Sequence, residues 1–194
     1  RELRLRDFPK TVRRAQRFLK DVSDVDRRRL DRDGIEVRQN EAADPARFPA
    51  YYRQNFHYQT DGWLSEDSAE IYDHQVEALF TGAADAMRRI ALAQLVGQIQ
   101  GADQRKVQVL DLACGTGRFM SQVMSAMPKL QLTGLDLSPP YAQAAREHVK
   151  HWPQVEIVEG AAEALPFESG SLAHLISTIL FNEVTPPIRP RGHA

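Results

Sequence analysis

The chain has 194 residues, and 42% of its side chains are hydrophobic, which allows a packed core and excludes wholesale disorder. A formal net charge of −1 gives no general attraction for nucleic acid or an anionic membrane, and no apolar run approaches the ~18 residues of a bilayer span. The single cysteine, Cys114, rules out an internal disulfide and, without a secretory signal pattern, points to a reducing, cytoplasmic setting.

Charge is uneven along the chain. Residues 1–39 carry 13 Lys/Arg against 8 Asp/Glu, a balance of +5, and the rest carry 12 against 18, a balance of −6. Residues 1–33 read as an amphipathic helical stretch with Val12, Phe18, Leu19, Val22 and Val25 on a loose stripe, its charges a solvated face. The opening arginine suggests a trimmed start. Residues 40–64, with Pro45, Pro49 and the cluster "FPAYYRQNFHYQTDGW", read as short helix and loop. Two firmer helices follow. Ser65 can cap the first, with Glu66 and Asp67 favourably placed in its first turn, Ala69, Tyr72, Val76 and Leu79 on one face, and Gly82 at its end. The second covers about 84–99, with Leu92, Leu95, Val96 and Ile99 on a stripe, and Gly101 closes it.

From 106 the period changes. "KVQVLDL" reads as a buried strand, "ACGTG" as a loop, and 117–127 as a helix that stops at Pro128. "LQLTGLDL" is a second strand. Ser138 and Pro139 then open a helix that runs to about 150, as N-cap and N1 residues. "QVEIVEG" is a third strand, and "SLAHLISTIL", residues 171–180, a fourth. Strands alternating with helices predict an α/β fold with a parallel sheet and right-handed crossovers.

The loop carries the chemistry. Gly115 and Gly117 lie between a strand and a helix, where missing Cβ atoms let a ligand approach the backbone. The loop follows the carboxyl end of the first strand, where ligands bind in open α/β sheets. Asp136 ends the second strand, 21 residues after Gly115, and a carboxylate there can accept from ribose hydroxyls. A dinucleotide fingerprint needs a small residue three after the second glycine, and Met120 stands there; the Gly-Lys-Ser/Thr of a P-loop is absent too. The loop therefore suits a nucleoside without a pyrophosphate.

"VLDLACGTGRF", "LTGLDLSPPYAQAA" and "VEGAAEALPFESGSLAHLIST" resemble the successive motifs of class I S-adenosylmethionine-dependent methyltransferases over about 107–184. Upstream, "NFHYQTDGWLSEDSAEIYDHQVEALFTGAADAMRR" is more loosely similar to the helical N-terminal extension of a bacterial subgroup. The resemblance implies a Rossmann-like parallel sheet with flanking helices, its first four strands present, and S-adenosylmethionine as cofactor. It implies three regions: a helical extension over 1–104, the cofactor-binding half of the methyltransferase domain over 105–184, and an irregular tail over 185–194. Asp111 is expected to anchor the loop through its amides, or to hold the amino group of the methionine moiety. Ala113, Gly115 and Gly117 are expected beneath the cofactor, Asp136 on the ribose hydroxyls, Leu137 on the adenine, the amide of Ala162 facing the ring, and Ile179 and Leu180 beside the methionine end. Relatives often have glycine where Ala113 stands and aspartate where Ala161 stands; the second difference removes a polar contact worth ~1 kcal/mol. Cys114 is expected to be a small packing residue.

Methyl transfer from a sulfonium needs alignment more than a fixed catalytic residue. Where the acceptor must lose a proton, His57 and His74 are the candidate bases. Tyr58, Trp63 and Tyr72 could cover the cofactor, though helix packing is the stronger reading, and Asn182 and Glu183 could face the acceptor. The acceptor is expected to be a small molecule, with no metal, nucleic acid or membrane. The family has seven strands, so a chain ending after the fourth reads as C-terminally truncated. Its fourth strand would offer an edge for self-association. The alternative is a non-catalytic remnant that serves as a cofactor-binding or interaction module.

Overall fold

The computed structural model describes residues 62–178, together with 12, 16, 20, 44, 46–49 and 51–53. Contacts divide the chain between Gly82 and Ala83 into two compact units.

In the first unit, helix α1 spans Glu66–Leu79. The Ser65 hydroxyl accepts from the Ser68 N–H at 3.1 Å, and Glu66 and Asp67 occupy the positive first turn, so the cap follows the sequence. The buried face follows it only in part, at Ala69 and Val76. It consists of Ser68, Ala69, Ile71, Gln75 and Val76, while Leu79 is 43% exposed. Ser68 turns inward because its hydroxyl donates to the Gly62 carbonyl at 2.7 Å, which shifts the stripe away from Leu79. Gly82 adopts φ +82° and donates to the Glu77 carbonyl at 2.7 Å, a left-handed stop that glycine adopts without strain. Ahead of the helix, the Phe48 ring stacks on Tyr52 at 5.2 Å, and Tyr52 meets Trp63 at 4.9 Å. Trp63 thus takes part in aromatic packing. Tyr58 lies outside the described residues.

The second unit holds α2 (Ala84–Ile99), a 3₁₀ turn (Gln104–Lys106), β1 (Gln108–Leu112), α3 (Arg118–Ala126), β2 (Gln131–Asp136), α4 (Pro139–Val149), β3 (Val155–Glu159) and β4 (His174–Ile176). Helix α2, assigned from sequence to an extension ending at 104, groups instead with the sheet. Its Leu95 and Ile99 join one apolar cluster with Val109, Met120 and Leu132. Val96, placed on that stripe from sequence, is 39% exposed.

All strand pairs are parallel, and the order is β3-β2-β1-β4. The chain steps outward from β1 to β3 and then returns to the other side of β1, so the direction of winding reverses between β1 and β4. Such a switch point opens a crevice at the carboxyl ends of the strands. Side chains alternate between the faces. Val109, Leu132 and Val155 face the cluster built with α2, α3 and α4, whereas Leu110, Leu112 and Leu135 pack with Val158, Ala162, Leu165, Phe167 and Leu172. Burial on both faces explains why β1 and β2 read as near-continuous apolar runs.

The fourth strand is shorter than the predicted 171–180, because the ladder to β1 covers only Val109–Asp111 opposite His174–Ile176. Ile179 and Leu180 lie outside the described residues. Among the described residues β4 ends the sheet, and no helix is long and apolar enough to cross a membrane.

Candidate functional site

The site lies where β1 and β2 end. Three residues with positive φ follow β1 at every second position: Ala113 (58°), Gly115 (57°) and Gly117 (76°). The loop is pinned at both ends. The Cys114 N–H donates to the Leu135 carbonyl at 3.1 Å, which extends the β1–β2 ladder, and the Gly117 N–H turns back to the Cys114 carbonyl at 3.0 Å. Gly117 is the N-cap of α3 and has no side-chain cap. A Cβ on Gly117 would lie 3.2 Å from the Ala145 Cα, so its missing side chain admits the α4 backbone.

Asp136 performs the anchoring that the sequence assigned to Asp111. One carboxylate oxygen accepts from the Gly115 N–H at 2.8 Å, and the other from the Ser138 N–H at 2.9 Å. A single side chain thereby ties β2, the loop and the start of α4 together. Ser138 caps α4 as expected, its hydroxyl accepting from the Tyr141 N–H at 3.3 Å. Burial raises the Asp136 pKa, and the N–H groups of Ser138, Gly115 and Leu137 act against that rise.

Asp111 is 1% exposed, and neither carboxyl oxygen has a hydrogen-bond partner. It makes no bond to the loop amides, so the first of its two expected roles is not what this geometry shows. Burial, then the neighbouring Asp136, pushes its pKa up to about 8. The register explains the proximity. Asp111 pairs with Gly134, and Asp136 lies two residues further along the same face of β2. Gly134 places no side chain between them.

Gly134 has no assigned role in the sequence reading, yet it shapes the site. A Cβ there would lie 2.5 Å from Met120 Sδ, 2.9 Å from Cys114 Sγ and 2.9 Å from Ile157 Cδ1. A dinucleotide loop keeps a small residue on the helix for close packing. Here the helix carries Met120, fully buried, and the strand supplies the gap. A glycine inside a strand pattern is the signal that could have found it. Cys114 is buried, and its pKa is raised by burial and by Asp136 and Asp111, which leaves a neutral packing thiol.

Leu137 and Ala162 are half-buried, and Ala162 packs on the Leu110–Leu112–Leu135 cluster. Ser177, directly after β4, has a buried hydroxyl oxygen with no hydrogen-bond partner, a feature that its type and spacing do not announce. His74 belongs to α1 in the first unit, and its Nδ1 is buried without a hydrogen-bond partner. His57, Ile179, Asn182 and Glu183 lie outside the described residues.

A switch point in a parallel sheet, with a glycine loop after β1 and an acid at the end of β2, defines a class of ligand-binding α/β domain. Residues 109–192 match the methyltransferase domain family. The matched stretch is the one whose motifs resemble the class I S-adenosylmethionine-dependent methyltransferases. The demethylmenaquinone methyltransferase of Chlorobaculum tepidum is 34% identical over 114 residues, 59% of this chain and 44% of that protein. The malonyl-[acyl-carrier protein] O-methyltransferase of Halalkalibacterium halodurans is 25% identical over 125 residues, 63% of this chain and 46% of that protein. The geranyl diphosphate C-methyltransferase of Streptomyces coelicolor A3(2), solved with S-adenosyl-L-homocysteine, is 17% identical with a TM-score of 0.39, covering 46% of this chain and 34% of that one. The chain spans less than half the length of these curated relatives.

Proposed function

We propose that the chain binds S-adenosylmethionine across the 113–117 loop and takes part in methyl transfer to a small-molecule acceptor. The observation that carries this reading is the pair of buried carboxyls beneath a glycine loop at the switch point, one held by backbone N–H groups and the other without a hydrogen-bond partner. The residues fit the cofactor. Each Asp136 oxygen accepts one N–H and retains a lone pair for a ribose hydroxyl. Asp111 offers a buried acceptor for the ammonium of the methionine moiety. Leu137 and Ala162 would border the adenine, the backbone of Ala113 and Gly115 would lie beneath the cofactor with Gly117 closing the loop, and Ile179 would border the methionine end.

When bound, the cofactor supplies a methyl group on a sulfonium leaving group. The chain's contribution is to fix that methyl in line with an acceptor atom and keep the site dry. His57 and His74 remain the proposed bases for an acceptor that must lose a proton. A small-molecule acceptor is supported by relatives named for demethylmenaquinone and 2-phytyl-1,4-naphthoquinone. On this reading 105–184 is the cofactor-binding half of the domain, and the protein works in the cytoplasm.

Calorimetry with S-adenosylmethionine, S-adenosylhomocysteine and NAD tests the reading. Saturable heat is expected with the first two and none with NAD. No binding at millimolar S-adenosylmethionine overturns it.

A further inference from the structure

Resting on that reading of the site, we propose that Asp111 carries a proton in the free protein and exchanges it for the cofactor's ammonium, so that each cofactor bound at neutral pH releases one proton.

The geometry forces an unequal division between two acids. Asp111 and Asp136 lie on the same face of adjoining strands, and on the β2 side the residue opposite Asp111 is Gly134, which has no side chain. Two carboxylates in one desolvated site do not both ionise readily, and the one with better donors keeps the charge. Asp136 holds two backbone N–H groups at 2.8 and 2.9 Å, and Asp111 holds none. The proton therefore belongs on Asp111, in keeping with its raised pKa.

Among the described residues, no cation hydrogen-bonds to it. On α4, Arg146 is committed to Glu159 of β3 at 3.1 Å and to the Ile157 carbonyl at 3.3 Å. On α2, Arg88 pairs with Asp85. Arg118 opens α3 and His174 opens β4, and among the described residues neither hydrogen-bonds to Asp111. The Cys114 thiol in the loop stays protonated, and β4 sets the uncharged Ile176 opposite. A cation arriving with the cofactor would give this carboxyl the partner that it lacks among the described residues. The exchange balances: the O–H bond of Asp111 breaks, its proton passes to buffer, and the carboxylate left behind accepts N–H bonds from the ammonium.

The test titrates S-adenosylhomocysteine, which carries the ammonium without the sulfonium, into the chain between pH 6.0 and 7.0. In this window the amino-acid ammonium, whose adjacent carboxylate holds its pKa above that of a peptide N-terminus, remains charged. Kd should tighten about tenfold across that unit, as a single linked proton requires. Heats in two buffers of different ionisation enthalpy should show close to one proton released. Asp111→Asn should bind with a Kd that is flat across the window and release no proton. Carbon-13 NMR of the ligand-free chain supplies a second readout, an aspartic carboxyl titrating near 8 that is lost in Asp111→Asn. A wild-type Kd constant within twofold and buffer-independent heats overturn the exchange while leaving the cofactor reading intact. No heat at any pH, in a chain whose carboxyl does titrate near 8, overturns the cofactor reading and the exchange with it.

Discussion

Ala113 holds φ 58°, a region where a Cβ crowds the backbone and costs an L-residue about 1–2 kcal/mol. Glycine removes that strain but frees the unfolded chain by about 0.4–1 kcal/mol. The balance predicts that Ala113→Gly stabilises the protein by about 0.5–1 kcal/mol, read as a higher urea midpoint with an unchanged slope. Gly134 gives the opposite sign. Its added methyl would meet Met120 and Cys114 sulfurs and the Ile157 side chain, all inside a packed core. Gly134→Ala should lose about 1–3 kcal/mol by overpacking. The companion change Met120→Ala should restore part of that loss, because the methionine sulfur makes the closest contact. A double-mutant cycle showing simple additivity would contradict this packing account.

At the scale of elements, Asp136 is a staple between a strand, a loop and a helix start. Asp136→Ala leaves the Gly115 and Ser138 N–H groups without their acceptor and should destabilise the fold by about 2–3 kcal/mol. Amide exchange at those two residues should quicken by at least about tenfold, while exchange at the centre of β1 follows global stability. Lost cofactor binding in this variant therefore does not by itself identify a ribose contact; the exchange rates separate a collapsed loop from a lost ligand bond. Most elements of this unit were legible from sequence. Ser138 followed by Pro139 fixes the start of α4, and apolar β-branched runs bounded by the glycine loop and Pro128 fix β1, α3 and β2. What depends on three-dimensional contact was not legible. The spacing of Asp111 and Asp136 puts both acids at strand ends, but which one meets the amides depends on how the loop turns. Residue type places Gly117 in a loop, but only the approach of Ala145 shows what fills the space of its missing side chain. The rotation of α1 arose in the same way, from one hydroxyl finding the Gly62 carbonyl.

For the whole molecule, the buried carboxyls set how stability depends on pH. Asp111 has an unfolded value of 3.8 and a folded value of about 8. Between these the native state holds a proton that the unfolded chain has already released, so stability falls as pH rises through the window and levels off above it. The slope approaches a loss of about 1.4 kcal/mol per pH unit for one such group. Asp136, also raised, contributes in the same direction. Asp111→Asn removes one of the two linkages. Its amide adds a pH-independent change of about 1–3 kcal/mol to the level of stability, so the level is a poor readout and the slope a good one. Thermal melts at pH 5, 6, 7 and 8 should show the wild-type Tm dropping relative to the variant by about 2–4 °C per kcal/mol of linked stability. Saturating S-adenosylhomocysteine should flatten the wild-type curve near neutrality, because the bound ammonium then stabilises the carboxylate that burial disfavours. Parallel wild-type and variant curves would mean that Asp111 is ionised in the free protein.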